Sequence, residues 1–245
     1  MISFYMKIFY KIIELIDYPN KKKIINFFKN NFFKKKLIAI DVGSHRGETV
    51  DIINKNFSIE KIYSFEPNND LFSELKKNKN YKDMNIEFFN YALGEKKENK
   101  DIKIYKETSS SGFHDLNYES QYYKRKKKIL DIFSKTSNLS FKKQSTQIIS
   151  LSDFFLEKNI KKIDLLKIDA EGYEYNILKG LNNLDFQKID LIYFEHHYNT
   201  MLNKNYTFSM INHLLTKNNF FKVFKIKMKL RKSFEYIYKN SKNIY

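Results

Sequence analysis

The sequence of 245 residues contains no cysteine and no tryptophan, and it has only two prolines and six glycines. The absence of cysteine excludes disulfide bonds, a thiolate nucleophile and zinc bound by cysteine. No Pro-, Gly- or Ser-rich linker divides the chain, and 42% of its residues are hydrophobic. We therefore expect one α/β domain over residues 37–245, preceded by a helical extension over residues 1–36 and interrupted by an insertion at about residues 95–147.

Long uncharged apolar runs are also missing, and none approaches the ~18 residues that span a bilayer. Lys7, Lys11 and Glu14 interrupt the apolar N-terminal segment, and no small-residue cleavage site follows, which predicts a cytoplasmic protein without a secretory signal. Their spacing predicts an amphipathic helix over residues 1–16 that ends near Pro19. The domain itself, a second copy in a homodimer or an anionic membrane surface would cover its apolar face.

Arginine is scarce, although the formal net charge is +17. The basic residues are concentrated in segments 1–36, 120–143 and 218–245, and the rest of the chain is slightly acidic. Nucleic-acid recognition favours arginine, and a surplus of lysine with many Asn, Ile, Phe and Tyr is typical of AT-rich coding. The composition therefore disfavours a nucleic-acid partner, while a basic rim would still attract a phosphorylated or nucleotide-linked substrate.

Four apolar runs end in an acid, in the segments LIAIDVG, IYSFEPN, LLKIDAEG and LIYFEHH. The acids are Asp41, Glu66, Asp169 and Glu195. Ligands of open parallel sheets bind outside the carboxyl ends of the strands, so the pattern predicts one crevice lined by these acids. Each acid alone is equally explained as a cap of the following helix. The alternating segment 220–238 predicts a closing hairpin.

The few glycines include Gly43 and Gly47, which frame the turn after the first strand. This G-x-x-x-G lacks the middle glycine of the dinucleotide fingerprint, and His45 and Arg46 occupy the loop instead, which favours a cofactor without a pyrophosphate. Glu66 at the end of the second strand is placed to accept both hydroxyls of a ribose. S-adenosylmethionine has such a ribose and no phosphate.

The motifs DVGSHRGE, FEPNNDLFSEL, NYALGE, LSDFF, IDLLKIDAEGYEYNILKG and IYFEHH follow one another in this order over residues 37–198. This order resembles the FkbM-type S-adenosylmethionine-dependent methyltransferases. The resemblance implies a class I methyltransferase fold, a Rossmann-like and mostly parallel seven-stranded sheet with one antiparallel edge strand and helices on both faces. It also implies methylation of a hydroxyl on a sugar or natural product.

The resemblance assigns cofactor-binding roles position by position. It places Asp41, Gly43, Ser44 and Gly47 in the cofactor loop, Glu66 with Pro67 and Asn68 at the ribose, Ala92 and Leu93 in a small-residue loop at the adenine, and Asp169 with Glu171 and Gly172 in the acidic motif. His45 departs from the family, which often has Asn there, but keeps a polar group near the methionine portion.

Methylation of a hydroxyl requires a base or a cation that lowers the pKa of the hydroxyl. His196 or His197 would serve as the base, oriented by Asp169 or Glu195. Alternatively, Asp169, Glu195 and His196 or His197 would bind Mg²⁺ or Mn²⁺. The residues leave both routes open.

The insertion is interpreted as a lid over the acceptor. Ser109 to Gly112 form a polar stretch, Tyr118, Tyr122 and Tyr123 offer rings that stack on a sugar or base, and Lys124 to Lys128 would bind a diphosphate. A surface loop and a solvated helix face are the alternatives.

The sequence predicts an O-methyltransferase that acts on a nucleotide-activated sugar for a surface (capsular) polysaccharide. The absence of cysteine disfavours methylation of cytosine C5, and two separated prolines exclude an Asn/Asp-Pro-Pro-Tyr loop for exocyclic amines. An RNA ribose 2′-O-methyltransferase, an NAD(P)-dependent oxidoreductase and a non-catalytic Rossmann-like binding module remain as alternatives.

Overall fold

The computed structural model describes residues 4–105, 111–133, 141–228 and 232–243, with the side chains of residues 4–15, 126, 129–133 and 243 outside the description. The helices are α1 (Phe4–Asn31), α2 (Glu48–Asn56), α3 (Asn69–Lys77), α4 (Gln121–Phe133), α5 (Leu151–Glu157), α6 (Glu174–Lys179), α7 (Asn183–Phe186) and α8 (Phe208–Lys217). The strands are β1 (Lys36–Val42), β2 (Ser58–Phe65), β3 (Ile86–Phe89), β4 (Ala92–Gly94), β5 (Glu98–Tyr105), β6 (Phe141–Ser150), β7 (Ile163–Ile168), β8 (Ile189–His197), β9 (Phe220–Lys227) and β10 (Ser233–Asn240).

Seven strands form the central sheet in the order β3-β2-β1-β7-β8-β10-β9. All pairs are parallel except those made by β10, which runs antiparallel to both β8 and β9. The predicted α/β class and the C-terminal hairpin are therefore confirmed. The antiparallel strand β10 is not the edge strand that the resemblance implies, because β9 pairs with its outer side and forms the edge.

Strand alternation divides the core into two clusters, one on each face of the sheet. Helices α5, α6 and α8 cover the face that carries Ile40 and Phe194, whereas α1, α2 and α3 cover the face that carries Ala39 and Leu165. The central strands β1 and β7 are buried on both faces, which explains why they read as continuous apolar runs.

Helix α1 continues through Pro19 to Asn31, so the expected end near Pro19 is wrong. A proline inside a helix costs about 3 kcal/mol. Burial of Ile24, Phe28 and Phe32 against the sheet offsets this cost, and the Phe28 ring lies 5.6 Å from that of Tyr193.

The predicted contacts of residues 1–15 with a membrane or a second copy fall on side chains outside the described residues. Among the helices that the structure describes, none is long and apolar enough to cross a membrane.

The insertion contains ordered elements of its own. Strands β5 and β6 form a second sheet with β4, in the order β4-β6-β5. The expectation that Ala92 to Gly94 form a loop is wrong, because this segment is buried and its backbone pairs with β6. Ser109 and Ser110 of the predicted polar stretch lie outside the described residues.

Asn68 caps helix α3, since its side-chain oxygen accepts hydrogen bonds from the N–H groups of Asp70 and Leu71. We expect Asn68→Ala to lower the free energy of unfolding by about 1 kcal/mol, because two backbone donors lose their partner. Urea denaturation measures the change, and Asn80→Ala at an exposed position is the control. Equal losses in the two variants would contradict the capping role.

Candidate functional site

The site lies where β1 and β7 pair and the chain connections diverge to opposite sides of the sheet, which is the usual ligand crevice of such folds. Asp41 on β1 is fully buried, and its Oδ1 lies 3.1 Å from the Nζ of Lys167 on β7. The same ammonium lies 3.9 Å from Oδ2 of Asp169, whose side chain is 40% exposed. Lys167 therefore neutralises a buried acid beside a solvent-accessible one.

The turn from β1 to α2 is held tightly against both neighbouring strands. The N–H groups of Gly43 and Ser44 donate to the carbonyl oxygen of Phe65 at 3.0 Å. Gly43 has φ +80°, and a Cβ there would lie 2.0 Å from the carbonyl oxygen of Asp169. Only glycine fits this position, so the turn needs its first glycine for packing on β7. Ser44 also bonds to Ser64 through their hydroxyl oxygens, 2.5 Å apart.

Glu66 follows β2 and faces this turn. One carboxylate oxygen accepts the N–H of His45 at 2.8 Å and the other accepts the N–H of Asn68 at 2.9 Å. Burial raises the pKa of Glu66 to about 7, against the opposing effect of these two hydrogen bonds. Glu66, the acid predicted to bind a ribose, is thus held in one orientation by the loop after β1 and the loop after β2.

His45 occupies the centre of the turn in a left-handed conformation with φ +50°. Its Nδ1 lies 3.0 Å from Oε1 of Glu48 in the first turn of α2. Burial lowers the pKa of His45, but the hydrogen bond and charge of Glu48 outweigh it and raise the pKa above its ordinary value. Burial disfavours the charged form of Glu48, yet His45 lowers its pKa to about 2.

The acidic turn after β7 also contains left-handed backbone, with φ +46° at Glu171, where a side chain makes it strained, and +94° at Gly172. Glu174 stabilises it, since its Oε1 accepts the N–H groups of Gly172 at 2.9 Å and Ala170 at 3.3 Å. The hydroxyl of Tyr206 donates to its other oxygen at 2.5 Å. Glu174 is therefore a structural clamp that presents Asp169 and Glu171 to the crevice.

Glu195 and His197 lie on the same face of β8, because side chains alternate along a strand. His197 Nε2 is 3.7 Å from Oε2 of Glu171 and 3.9 Å from Oε2 of Glu195. Burial lowers the pKa of His197, but Glu195 and Glu171 outweigh it and raise the pKa. An imidazole between two carboxylates is suited to accept a proton.

His196 points to the opposite face, so its predicted roles as base and metal ligand are wrong. Its ring packs 4.7 Å from Tyr198 and 5.6 Å from Phe208. Burial lowers its pKa to about 3, which keeps the ring neutral. The predicted set of Asp169, Glu195 and His196 is not assembled, and the described residues contain no group of three or more His, Asp or Glu placed to hold a metal ion.

The insertion contacts the acidic turn through His114, whose Nε2 lies 2.8 Å from the carbonyl oxygen of Gly172. Tyr123 is buried in a cluster with Tyr105 and Leu116 and cannot stack on a ligand there, which corrects one predicted contact. Tyr118 is 48% exposed. Lys124 pairs with Glu119 at 2.7 Å.

Several residues near the site had no role predicted from the sequence. They are Ser64, Glu174, Tyr193, Tyr206 and Glu235. Glu235 lies opposite Glu195 across β8 and β10, and the hydroxyl of Tyr193 donates to it. Burial raises the pKa of Glu235 to about 8, and the nearby charge of Asp169 adds to this effect. The sequence signal for Glu235 is an acid within the apolar stretch Phe234 to Tyr238, although that stretch does not show which strand it pairs with.

The model of the methyltransferase FkbM domain matches residues 41–222. No curated protein matches the sequence significantly.

Two solved methyltransferase structures with TM-scores of at least 0.50 share the fold. A methyltransferase FkbM from Methylobacillus flagellatus KT superposes with a TM-score of 0.51 at 14% identity, and the match covers 83% of this chain and 44% of that one. The METTL16 methyltransferase domain superposes with a TM-score of 0.50 at 10% identity. The match covers 91% of this chain and 67% of that one. Magnesium protoporphyrin IX methyltransferase from Synechocystis PCC 6803 was solved with bound S-adenosylmethionine. It superposes with a TM-score of 0.48 at 9% identity, and the match covers 98% of this chain and 86% of that one. This chain thus spans less than half of the Methylobacillus protein.

Proposed function

Because this chain belongs to the FkbM family of S-adenosylmethionine-dependent methyltransferases, we propose that it methylates a hydroxyl group of a sugar. The acceptor is a nucleotide-activated sugar destined for a surface polysaccharide, and the reaction takes place in the cytoplasm. The observation that carries the proposal is the position of His197 between Glu171 and Glu195, at the same sheet edge as Asp41, Glu66 and Asp169.

The groups around the crevice suit the cofactor. Glu66 is a fixed carboxylate able to accept hydrogen bonds from the hydroxyls of a ribose, and its burial raises its pKa. Asp169, which is 40% exposed, supplies negative charge for the sulfonium and the ammonium of the methionine portion. The N–H groups of Gly43, Ser44 and His45 are engaged by Phe65 and Glu66, so this turn does not offer them to a phosphate.

S-adenosylmethionine supplies an activated methyl group, so the protein has to align the acceptor oxygen and remove its proton. Neutral His197 would accept this proton as the acceptor oxygen takes the methyl group and S-adenosylhomocysteine leaves. Glu171 and Glu195 stabilise the resulting imidazolium, and they also hold the ring in the crevice. The proton then passes to solvent along the side of Glu171, which is 25% exposed.

A sugar acceptor is supported by the family and by the polar character of this edge, where carboxylates can accept hydrogen bonds from sugar hydroxyls. The basic segments around an acidic centre support an acceptor with a distant phosphate. Exposed Tyr118 in the insertion is available for stacking on a sugar or base.

Calorimetric titration with S-adenosylhomocysteine and, separately, NADH tests the cofactor. We expect micromolar binding of the first and none of the second. Transfer of a labelled methyl group to a panel of nucleotide sugars then tests the acceptor, with free sugars and RNA as parallel substrates. Transfer to RNA alone, or binding of NADH alone, would overturn the proposal.

A further inference from the structure

We propose that α1 attaches the protein to an anionic phospholipid surface through its outer face. This face consists of Tyr18, Lys22 and Lys29 on the helix and Phe33 directly after it. The two rings enter the headgroup layer, and the lysine ammonium groups lie close to the lipid phosphates. The proposal uses none of the residues assigned to methyl transfer, so it stands independently of the proposed function.

The other side of α1 is already occupied by the sheet. Ile24 and Phe28 are buried in the core cluster on that face of the sheet. The side-chain nitrogen of Asn20 donates to the carbonyl oxygen of Lys227 at 3.0 Å. These contacts fix the rotation of the helix about its axis, so α1 cannot turn to bury its outer face.

The outer face carries two exposed aromatic rings. Successive residues of a helix are about 100° apart, so Tyr18, Lys22 and Lys29 lie within about 40° of one another around the axis. Phe33 is 75% exposed and Tyr18 is 61% exposed. They are the most exposed of the phenylalanine and tyrosine side chains that the structure describes. A single exposed ring is ordinary, but two at the ends of one basic helix face indicate a binding surface.

The charge of this face is complementary to an anionic surface. Lys22 and Lys29 are exposed, and the only acid among residues 16–31 is Asp17, which is fully buried. The Lys34 ammonium lies 5.3 Å from the centre of the Phe33 ring, which brings a further cation to the end of the face. Each lysine near an anionic membrane adds to the attraction.

Rings beside lysines suit a bilayer better than a nucleic acid. Tyrosine and phenylalanine rings lie at the depth of the headgroups, where lysines also reach the phosphates. Recognition of nucleic-acid phosphates favours the bidentate guanidinium of arginine. The three arginines of the chain, Arg46, Arg125 and Arg231, all lie outside α1. The chemistry of the outer face therefore favours phospholipid.

The absence of tryptophan from the chain provides a direct test. Phe33→Trp introduces a single indole, whose emission moves to shorter wavelength when it enters less polar surroundings. We expect this move with vesicles of equal parts phosphatidylglycerol and phosphatidylcholine, and none with phosphatidylcholine alone. Leu156→Trp is the matched control, because Leu156 is 83% exposed on α5, which covers the other face of the sheet. Its emission should stay constant with both vesicles.

Sedimentation with the same vesicles tests the lysines. Lys22→Gln/Lys29→Gln should lower the partition coefficient about 25-fold, or about fivefold for each lysine. Binding of the wild type should weaken as salt is added, since the charges are exposed. Lys96→Gln/Lys97→Gln removes the same charge from exposed positions between β4 and β5 and should leave binding within twofold.

Four results would overturn the proposal. One is an unchanged emission of Phe33→Trp with the anionic vesicles, and another is an equal loss of binding in the two lysine pairs. An emission change that depends on protein concentration without vesicles would assign the face to a second copy of this chain. A change with single-stranded RNA alone would assign it to nucleic acid. Failure to bind S-adenosylhomocysteine would overturn the proposed function and leave the membrane contact untouched.

Discussion

Replacing His197 by alanine is expected to lower kcat about 10²- to 10⁴-fold, the usual contribution of a general base. His197 is held between Glu171 and Glu195 at the sheet edge where the acceptor is proposed to bind. Affinity for S-adenosylhomocysteine should be unchanged, because the ring accepts a proton from the acceptor rather than holding the cofactor. Initial rates and calorimetry measure the two quantities.

The pH dependence adds an independent check on this base. His197 acts in its neutral form, so kcat/KM should rise with pH through its raised pKa, which lies above 6.5. Glu171→Gln removes one of the carboxylates that raise this pKa, and the rising limb should move to lower pH. If the pH profile of kcat/KM is the same in the wild type and in Glu171→Gln, the role of His197 as a base held by Glu171 is contradicted.

His196 provides the matched control, because it is adjacent in sequence and points to the other face. Its ring is surrounded by Tyr198, Tyr206 and Phe208 and stays neutral at physiological pH. His196→Phe keeps an aromatic ring in this cluster, and kcat should stay within a few-fold of the wild-type value. A large loss in His196→Phe with none in His197→Ala would reverse the assignment.

Replacing Lys167 by methionine is expected to lower the free energy of unfolding by about 3–5 kcal/mol, because it leaves buried Asp41 without its counter-charge. Asp41 is fully buried and its carboxylate lies 3.1 Å from the Lys167 ammonium. Chemical denaturation in the absence of ligand measures the loss.

The double variant Asp41→Asn/Lys167→Met should recover much of this stability, since no uncompensated charge is then buried. Lys179→Met breaks the pair with Glu95, whose side chains are 39% and 45% exposed, and should cost at most about 1 kcal/mol. If Lys167→Met and Lys179→Met lower the free energy of unfolding equally, the buried pair of Asp41 and Lys167 has no special structural role.

The strands that carry the acids were predictable because each is a short apolar run that ends where a turn begins. Leu37 to Ile40 lie within β1, and α2 begins at Glu48, directly after the turn that Gly43 and Gly47 frame. Tight spacing also made Gly43 and Gly47 recognisable as turn residues. Local pattern sufficed wherever neighbouring residues determine the conformation.

To choose between His196 and His197 from the sequence, one has to know which face of β8 lines the crevice. Tyr193, Glu195 and His197 alternate along β8, so a crevice that contains Glu195 also contains His197 and excludes His196. The rule was available, but the assignment of Glu195 to the crevice was itself uncertain before the fold was known.

Other features depend on contacts that are distant in sequence. Whether Ala92 to Gly94 form a loop or a strand depends on β6, more than fifty residues away. The passage of α1 through Pro19 depends on the sheet surface beneath Phe28. Glu235 joins the site through its pairing with β8, which no local pattern reveals.

The packing of α1 has a consequence for the order of events during synthesis. Asn20 of α1 bonds to the carbonyl oxygen of Lys227, 207 residues later, and the Phe27 ring lies 5.5 Å from that of Phe224 on β9. A ribosome has to synthesise the chain as far as β9 before α1 meets this partner strand. Until then only the part of α1 that packs on earlier strands has its partners, so we infer that the docking of this helix is completed after the C-terminal hairpin has formed.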